Sequence, residues 1–396
     1  MNEYIGTPQY IPRAEIQGSG DVRKVRAKRQ WFINGDFIML SPTGVARQAK
    51  EITLALDQLL QTGAELTEDL DVTLIAPEFP NNLDLKAIKV DVVDEYRKPR
   101  IPQFWCQFQL PRRAKGGLLS FCNLAPVRHP KHIVCIHDMQ TIHTPQSYSF
   151  PFRLAHRIIL PALGRTARCV TTVSELSRQH LVEASVCDDS KVVVTYSGID
   201  HLRRFAKTNK PKHTGRPYVM CLARNEHHKN ISIVWRIAAA LDELGLDIHL
   251  PGQISNEAIA RLGSEIPPNV RILGRLSDDE LAECYSAATC YLLPSQIEGF
   301  ALTAVEAMVF GCPVVVSSRP SMPETCGDAA LYADPNEPEA WISAVRSILK
   351  SERLRTSLIH RGFDRTLKYS WLKIAHTHLV LMRNIDLGLP LRTNLS

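Results

Sequence analysis

The sequence has no C-x-x-C pair and no His/Cys cluster at zinc-ligand spacing, although it holds ten cysteines and fourteen histidines. A structural zinc site and a dithiol redox motif are thereby excluded at the level of sequence. Most of the cysteines stand in apolar runs such as HIVCIHD and YVMCLAR, where a free thiol acts as a small core residue. That usage fits a reducing compartment. Nowhere do eighteen apolar residues follow one another, so no membrane span is expected. The first residues lack the charged, apolar and small-residue order of a secretory leader. The expectation is a cytoplasmic protein, with the inner face of the membrane as a surface it can rest on. Long basic runs and nucleic-acid-reading modules are also missing, which removes nucleic acid from the expected partners. No internal repeat or low-complexity tract occurs.

What is present is the composition of a globular enzyme, 44% hydrophobic and 22% charged over 396 residues. That length suits two domains of ordinary size. The net charge of +6 reads as a solvated surface, or as an attraction for phosphates or anionic lipid.

Residues 1–30 are polar, carry the basic cluster RKVRAKR, and read as a flexible N-terminal arm. Short β-branched runs then alternate with longer amphipathic ones. QWFINGDFIML, DVTLIAP, HIVCIHD, CVTTVS and KVVVTYS are strand candidates. GVARQAKEITLALDQLLQ is a helix with Val45, Ala49, Ile52, Leu56 and Leu59 on one face. SGIDHLRRFAKTNKPKHTGRP, rich in Lys and Pro, breaks the rhythm as a linker. A second series follows: YVMCLAR, DIHLPG, VRILGR, CYLLPS, PVVVSS and AALYAD. The alternation predicts an α/β protein with two Rossmann-like domains, over residues 31–205 and 206–370, whose parallel sheets face each other across a cleft. Ligands of such sheets bind outside the carboxyl ends of the strands.

Three stretches bear on phosphate chemistry, each with a plainer reading beside it. LSPTGVARQ puts Gly44 between strand and helix, as a turn or as a close approach to an anion at the helix N-terminus. LARNEHHKN places Arg224 and Lys229 after a strand, as an exposed basic loop or as a clamp for a diphosphate. His227 and His228 beside them read as solvent-facing rather than as metal ligands. IEGFALTAVEAM puts Gly299 before a helix whose face is Leu302, Val305 and Val309. The Ala301 and Leu302 amides can meet phosphate oxygens there, and Glu298 and Glu306 are either ordinary caps and surface charge or acceptors for vicinal hydroxyls. Glu306 falls beside the apolar face, which is costly for a carboxylate without a partner. His137 and Asp138 close the run HIVCIHD and point to the cleft, unless His137 is a structural group. Asp69-Leu70-Asp71 imitates a metal–nucleotide motif but precedes its strand, and reads as a solvated turn.

In this order the segments resemble the retaining glycosyltransferases of GT-B fold called family 4, from about residue 32 to residue 385. IEGFALTAVEAMVFGCPVVVSS is similar to that family's E-x7-E element, LARNEHHKN to its second-domain loop, and LGRLSDDELAECYSAA to the segment bordering the nucleotide base. YSWLKIAHTHLVLM resembles the helix that crosses back onto the first domain, here residues 371–396. The family often has a second glycine near Gly44, and glycine where Ala223 and Ala301 stand. The resemblance implies a nucleotide-sugar donor and a retained anomeric configuration. Arg224 and Lys229 would hold the diphosphate, with Gly44, Gly299, Phe300, Ala301 and Leu302 around the donor. Glu306 would bind the ribose, Glu298 the transferred sugar, and His137 the sugar near the reacting carbon. No nucleophile is assigned, and neither a metal nor a cofactor is implied. PTGVARQAKEI, FWCQFQLP and IVCIHDMQTIHTP are most similar to bacterial polysaccharide mannosyltransferases, which implies GDP-mannose and a growing, lipid-linked glycan. Alternatives are a UDP-sugar donor, a nucleotide-sugar epimerase or hydrolase of the same fold and, last, a binding scaffold. PFRLAHRIILPALGRTAR and LPRRAKGG can rest on anionic lipid, or form a buried helix with solvated arginines.

Overall fold

The computed structural model describes residues 28–40, 43–93, 104–123, 125–205, 215–263 and 265–391. Seven strands form the first sheet: β1 (Arg29–Asn34), β2 (Leu70–Ala76), β3 (Lys89–Val92), β4 (Gly117–Ser120), β5 (His132–Cys135), β6 (Cys169–Thr172) and β7 (Val192–Val194). Their order is β3-β2-β1-β4-β5-β6-β7, parallel throughout. Six strands form the second: β8 (Tyr218–Met220), β9 (Asp247–Pro251), β10 (Val270–Gly274), β11 (Cys290–Leu293), β12 (Val314–Ser317) and β13 (Ala330–Ala333). They run β10-β9-β8-β11-β12-β13, again parallel. Both orders reverse direction beside their first strand, which is the doubly wound arrangement. The central strands are buried on both faces, as the uninterrupted apolar runs CYLL and VVVS require.

The helices that matter here are α1 (Gly44–Gln61), α2 (Phe150–Thr166), α3 (Glu175–Glu183), α4 (Ser232–Glu243), α5 (Asp278–Ala287), α6 (Leu302–Val309), α7 (Ser321–Cys326), α8 (Pro338–Lys350), α9 (Glu352–Thr366) and α10 (Trp371–Leu387). Helix α1 turns Ala49, Ile52 and Leu56 onto Trp31 and Ile33 of β1. Helix α10 packs along α1 and adds Trp371, Leu379 and Met382 to the same first-sheet core. Its far end is fastened by Asp386, whose buried carboxylate accepts from Trp31 Nε1 (3.1 Å) and Arg29 Nη1 (3.2 Å) and pairs with Lys131.

Local differences from the sequence reading have identifiable causes. The run QWFINGDFIML is a strand only to Asn34, and residues 35–39 form a 3₁₀ turn. A Cβ on Gly35 would stand 2.6 Å from the Ile75 carbonyl oxygen, so the chain turns at the one residue that fits. Strands β3 and β4 were not expected; each has four residues, and β3 is a partly exposed edge. The expected arm includes residues 28–30, but Arg29 already opens β1, held by Asp69 at 2.8 Å and by the Leu66 carbonyl. Residues 1–27 of that arm, and 206–214 of the expected linker, lie outside the described residues. Asp69 and Asp71 spend their charges on Arg29 and Lys89 at 2.8 and 2.9 Å. None of the ten cysteines forms a disulfide, and nine are buried.

The halves meet through directional contacts. Glu324 of α7 accepts from the backbone N–H groups of Glu175 (2.5 Å) and Leu176 (3.2 Å), the first two of α3. Ser174 caps the third-position amide, at Ser177, with its own hydroxyl, so the start of α3 is completed jointly by both halves. Arg47 of α1 pairs with Asp278 at the start of α5 at 2.8 Å, and His228 meets the Ser147 hydroxyl at 3.0 Å.

Candidate functional site

Between the two sheets lies an open cavity of about 450 Å³, bounded by the residues that follow β5 on one side and β8 and β11 on the other. Of the residues picked out from sequence, Gly44, His137, Arg224, Lys229, Glu298 and Gly299 line it, with Phe300 and Leu302. Ala301 and Glu306 do not line it. The first is 1% exposed beneath the wall, and the second lies one helical turn further along α6.

Lys229 is placed by the bend at Asn230, which takes a left-handed conformation at φ 52°. Its side chain makes that conformation tolerable by donating to the Pro294 and Pro335 carbonyls at 3.1 and 2.7 Å, tying the loop to the ends of β11 and β13. Lys229 Nζ donates to both oxygens of Glu298, at 2.8 and 2.9 Å, and the Ser295 hydroxyl donates to one of them at 2.6 Å. The resemblance gives Lys229 to the diphosphate; in the ligand-free structure its charge is held by Glu298. Arg224 is exposed in the same cavity and has no ion pair among the described residues. One largely buried pair and one exposed guanidinium therefore form the cationic wall.

Helix α6 begins here without a side-chain cap, unlike α1, α3 and α5, which are capped by Thr43, Ser174 and Ser277. In its first turn the N–H groups of Leu302, Ala304 and Val305 donate to the Phe300 and Ala301 carbonyls at 2.8, 3.1 and 3.3 Å, and that of Thr303, a residue lining the cavity, has no backbone partner among the described residues. Gly299 allows the first half to come close: a Cβ there would stand 3.2 Å from Asp138 Cβ and 3.3 Å from Val173 Cγ2. Across the gap, Gly44 opens α1 opposite Leu302 and has room for a methyl group, so packing alone does not demand glycine there.

His137 is buried, its backbone N–H held by Asn123 Oδ1 at 2.8 Å and its Nε2 set 2.9 Å from the Phe121 carbonyl oxygen, to which it donates. Burial opposes charge on the ring, but the Cys135 sulfur, the Phe121 carbonyl and Asp138 outweigh it and raise its pKa above the usual histidine range.

Glu306 is 7% exposed and has no hydrogen-bond partner among the described residues. Burial pushes its carboxyl up to about 7; Arg47 draws it down, Asp278 opposes, and Arg224 draws it down further. Arg47 had not been singled out from sequence. Its signal was there: a cation in the first turn of a helix, the end where positive charge is disfavoured. Because the folded-state value is raised, burying this group is free of charge cost below about pH 4.5 and costs about 3 kcal/mol above pH 7. Glu306→Gln should therefore stabilise the ligand-free chain at pH 8, by up to about 3 kcal/mol, and leave it unchanged at pH 4.5. Urea titrations at the two pH values measure this. Equal effects at both would show that the carboxylate has a partner in the free protein.

Residues 203–365 match the family model described as "Glycosyl transferases group 1". O-antigen chain mannosyltransferase B of Escherichia coli is 39% identical over 102 residues, 26% of this chain and 27% of that protein. O-antigen chain mannosyltransferase RfbU of Salmonella typhimurium is 26% identical over 218 residues, 54% of this chain and 60% of that protein. The matched stretches thus span less than two thirds of either relative. Among solved structures, Anabaena Alr3699/HepE in complex with UDP superposes with a TM-score of 0.64 at 18% identity, covering 90% of this chain and 100% of that one. That likeness concerns the fold, which is GT-B. Two doubly wound sheets around a cationic cleft thus stand beside a likeness to the group 1 glycosyl transferases that residues 203–365 carry.

Proposed function

We propose that the protein is a retaining glycosyltransferase that moves mannose from GDP-mannose onto a growing, lipid-linked glycan in surface polysaccharide synthesis. The observation that carries this reading is the cleft wall itself, where Lys229 and Arg224 face the uncapped start of α6. Such a wall suits a diphosphate leaving group, whose charge grows as the sugar departs. Lys229 and Arg224 take the diphosphate, and the backbone at Gly44, Gly299 and Ala301 lets it approach. Glu298 moves from Lys229 to the hydroxyls of the transferred sugar, with Phe300 and Leu302 as its floor. Glu306 and Arg47 take the ribose end, which gives the buried carboxylate the hydroxyl partners it lacks. His137 lies against the sugar near its reacting carbon. The bond from the anomeric carbon to the diphosphate oxygen breaks, the acceptor oxygen bonds to that carbon on the same face, and its proton passes to the departing diphosphate. No enzyme nucleophile, metal or cofactor is assigned a step.

Both bacterial relatives are O-antigen chain mannosyltransferases, which supports mannose. The UDP in the Anabaena structure favours a second reading, a UDP-sugar donor. No helix among the described residues is long and apolar enough to cross a membrane. Exposed Phe150, Leu154 and Ile158 on α2, with exposed Arg157 and Arg165, support a peripheral contact with anionic lipid at the inner face. A thermal-shift screen with GDP, GDP-mannose, UDP and UDP-glucose tests the donor. GDP-mannose at a hundred times its Kd should add about 2.7 kcal/mol of stability. Protection by UDP compounds alone would replace the donor, and protection by none would overturn the enzymatic reading.

A further inference from the structure

The loop that carries Lys229 touches both halves of the molecule. His227 is exposed, as the sequence suggests, but His228 is 2% exposed and lines the cavity. Its backbone carbonyl accepts from the Gln296 N–H at 2.7 Å, within the second half. Its side chain goes the other way. Nδ1 meets the Ser147 hydroxyl at 3.0 Å, and the ring lies 15° from parallel with that of Tyr148, with centroids 6.5 Å apart. Ser147 and Tyr148 belong to the first half, in the turn Pro145–Ser147 and the residue after it. That support is itself fixed: the Tyr148 hydroxyl donates to Gln140 Oε1 at 2.9 Å, and Phe152 stacks on its ring at 5.5 Å. Burial and the neighbouring Lys229 hold the His228 pKa below the usual histidine range, although Glu298, Glu226 and Asp138 pull it up. The ring is therefore neutral at pH 7 and is not a third cation of the wall.

A buried, neutral side chain beside the clamp lysine, bonded across the cleft, acts on position rather than on charge. Lys229 follows His228 directly in the turn His227–Lys229, so the two share one backbone segment. Asn230 and the His228 carbonyl tie that segment to the second half, and the His228 ring ties it to the first. The tie to the first half exists only while the halves are together. Resting on the glycosyltransferase reading, we infer that His228 is a positioning residue: through Ser147 it sets Lys229 for the donor's second phosphate, and so makes the clamp depend on the first half. A preorganised charge is worth most where its placement is fixed before the leaving group departs. The contact acts on the diphosphate and not on the nucleoside, which goes to Glu306 and Arg47.

Calorimetric titration of the full chain with GDP and GMP, and with UDP and UMP, tests this without an acceptor or turnover. In the native protein the diphosphate should bind more tightly than the monophosphate of the same nucleoside. Ser147→Ala changes the opposite half, outside the cavity lining. It should cut that advantage about fivefold, the net worth of one hydrogen bond, and leave monophosphate affinity within about twofold. His228→Leu should cut the advantage at least as much, and adding Ser147→Ala to it should cut no further, because both remove one contact. His228→Asn, whose amide can still meet the Ser147 hydroxyl, should keep most of the advantage. A native ratio in Ser147→Ala would overturn the positioning role. A loss confined to His228→Leu would do the same, placing the imidazole on the phosphate itself, and so would an equal loss for both nucleotides, the mark of a role in folding. In each of these cases diphosphate binding by the native protein leaves the glycosyltransferase reading standing. Binding of neither GDP nor UDP would overturn that reading and this inference together.

Discussion

Lys229→Met is expected to lower turnover of the donor by two to three orders of magnitude, the loss typical when one preorganised charge leaves a developing anion. The size follows from what Lys229 faces. Arg224 would remain as a cation on the diphosphate, but it is exposed, whereas Lys229 is anchored by the bend at Asn230. The substitution has a second effect that must be separated from the first. Glu298 is 7% exposed, and without Lys229 it keeps only the Ser295 hydroxyl. Removing one partner of a buried pair commonly costs about 3–5 kcal/mol, and the partial exposure of Lys229 argues for the lower end. The double variant Lys229→Met/Glu298→Gln should therefore regain most of the stability and none of the turnover. Steady-state kinetics beside urea denaturation read the two separately. Native turnover in Lys229→Met would remove this side chain from the donor site.

Asp386→Ala should give the largest stability loss among changes far from the cleft. The carboxylate gathers Arg29, Lys131 and the Trp31 indole where α10 ends on the first sheet. Alanine leaves two cations and an indole N–H short of a partner, at a cost of about 3 kcal/mol. In a domain of this size that corresponds to a fall of roughly 6–12 °C in the midpoint of its unfolding transition. Because α10 fills the same core as α1, the loss should fall on the first domain, and calorimetry should show the other transition staying in place. A midpoint within about 2 °C of the native value would mean that α10 is held by its apolar face alone.

The second sheet was almost fully legible in the sequence, since all six of its strands coincide with short apolar runs. Helix α1 was equally plain, because its apolar face repeats at helical spacing over eighteen residues. β3 escaped because KVDV is half exposed, at an edge where nothing forces an apolar run. β4 escaped because GLLS is too short to show a period. At the site, sequence order brought Lys229, Glu298 and His137 to one cleft, but pairing is a property of space. Nothing in the spacing shows that Lys229 reaches Glu298 and that Glu306, eight residues on, faces Arg47 of the other half.

The joint cap of α3 gives the cleft a visible signature. Two amides at the head of that helix, Glu175 and Leu176, are bonded only while Glu324 from the opposite half is against them. Whenever the halves part, those two N–H groups return to water, and the first turn of α3 loses its remote cap. The protein thus reports its own opening through the hydrogen exchange of two adjacent backbone sites, a clock that runs without any label and stops when the cleft is held shut.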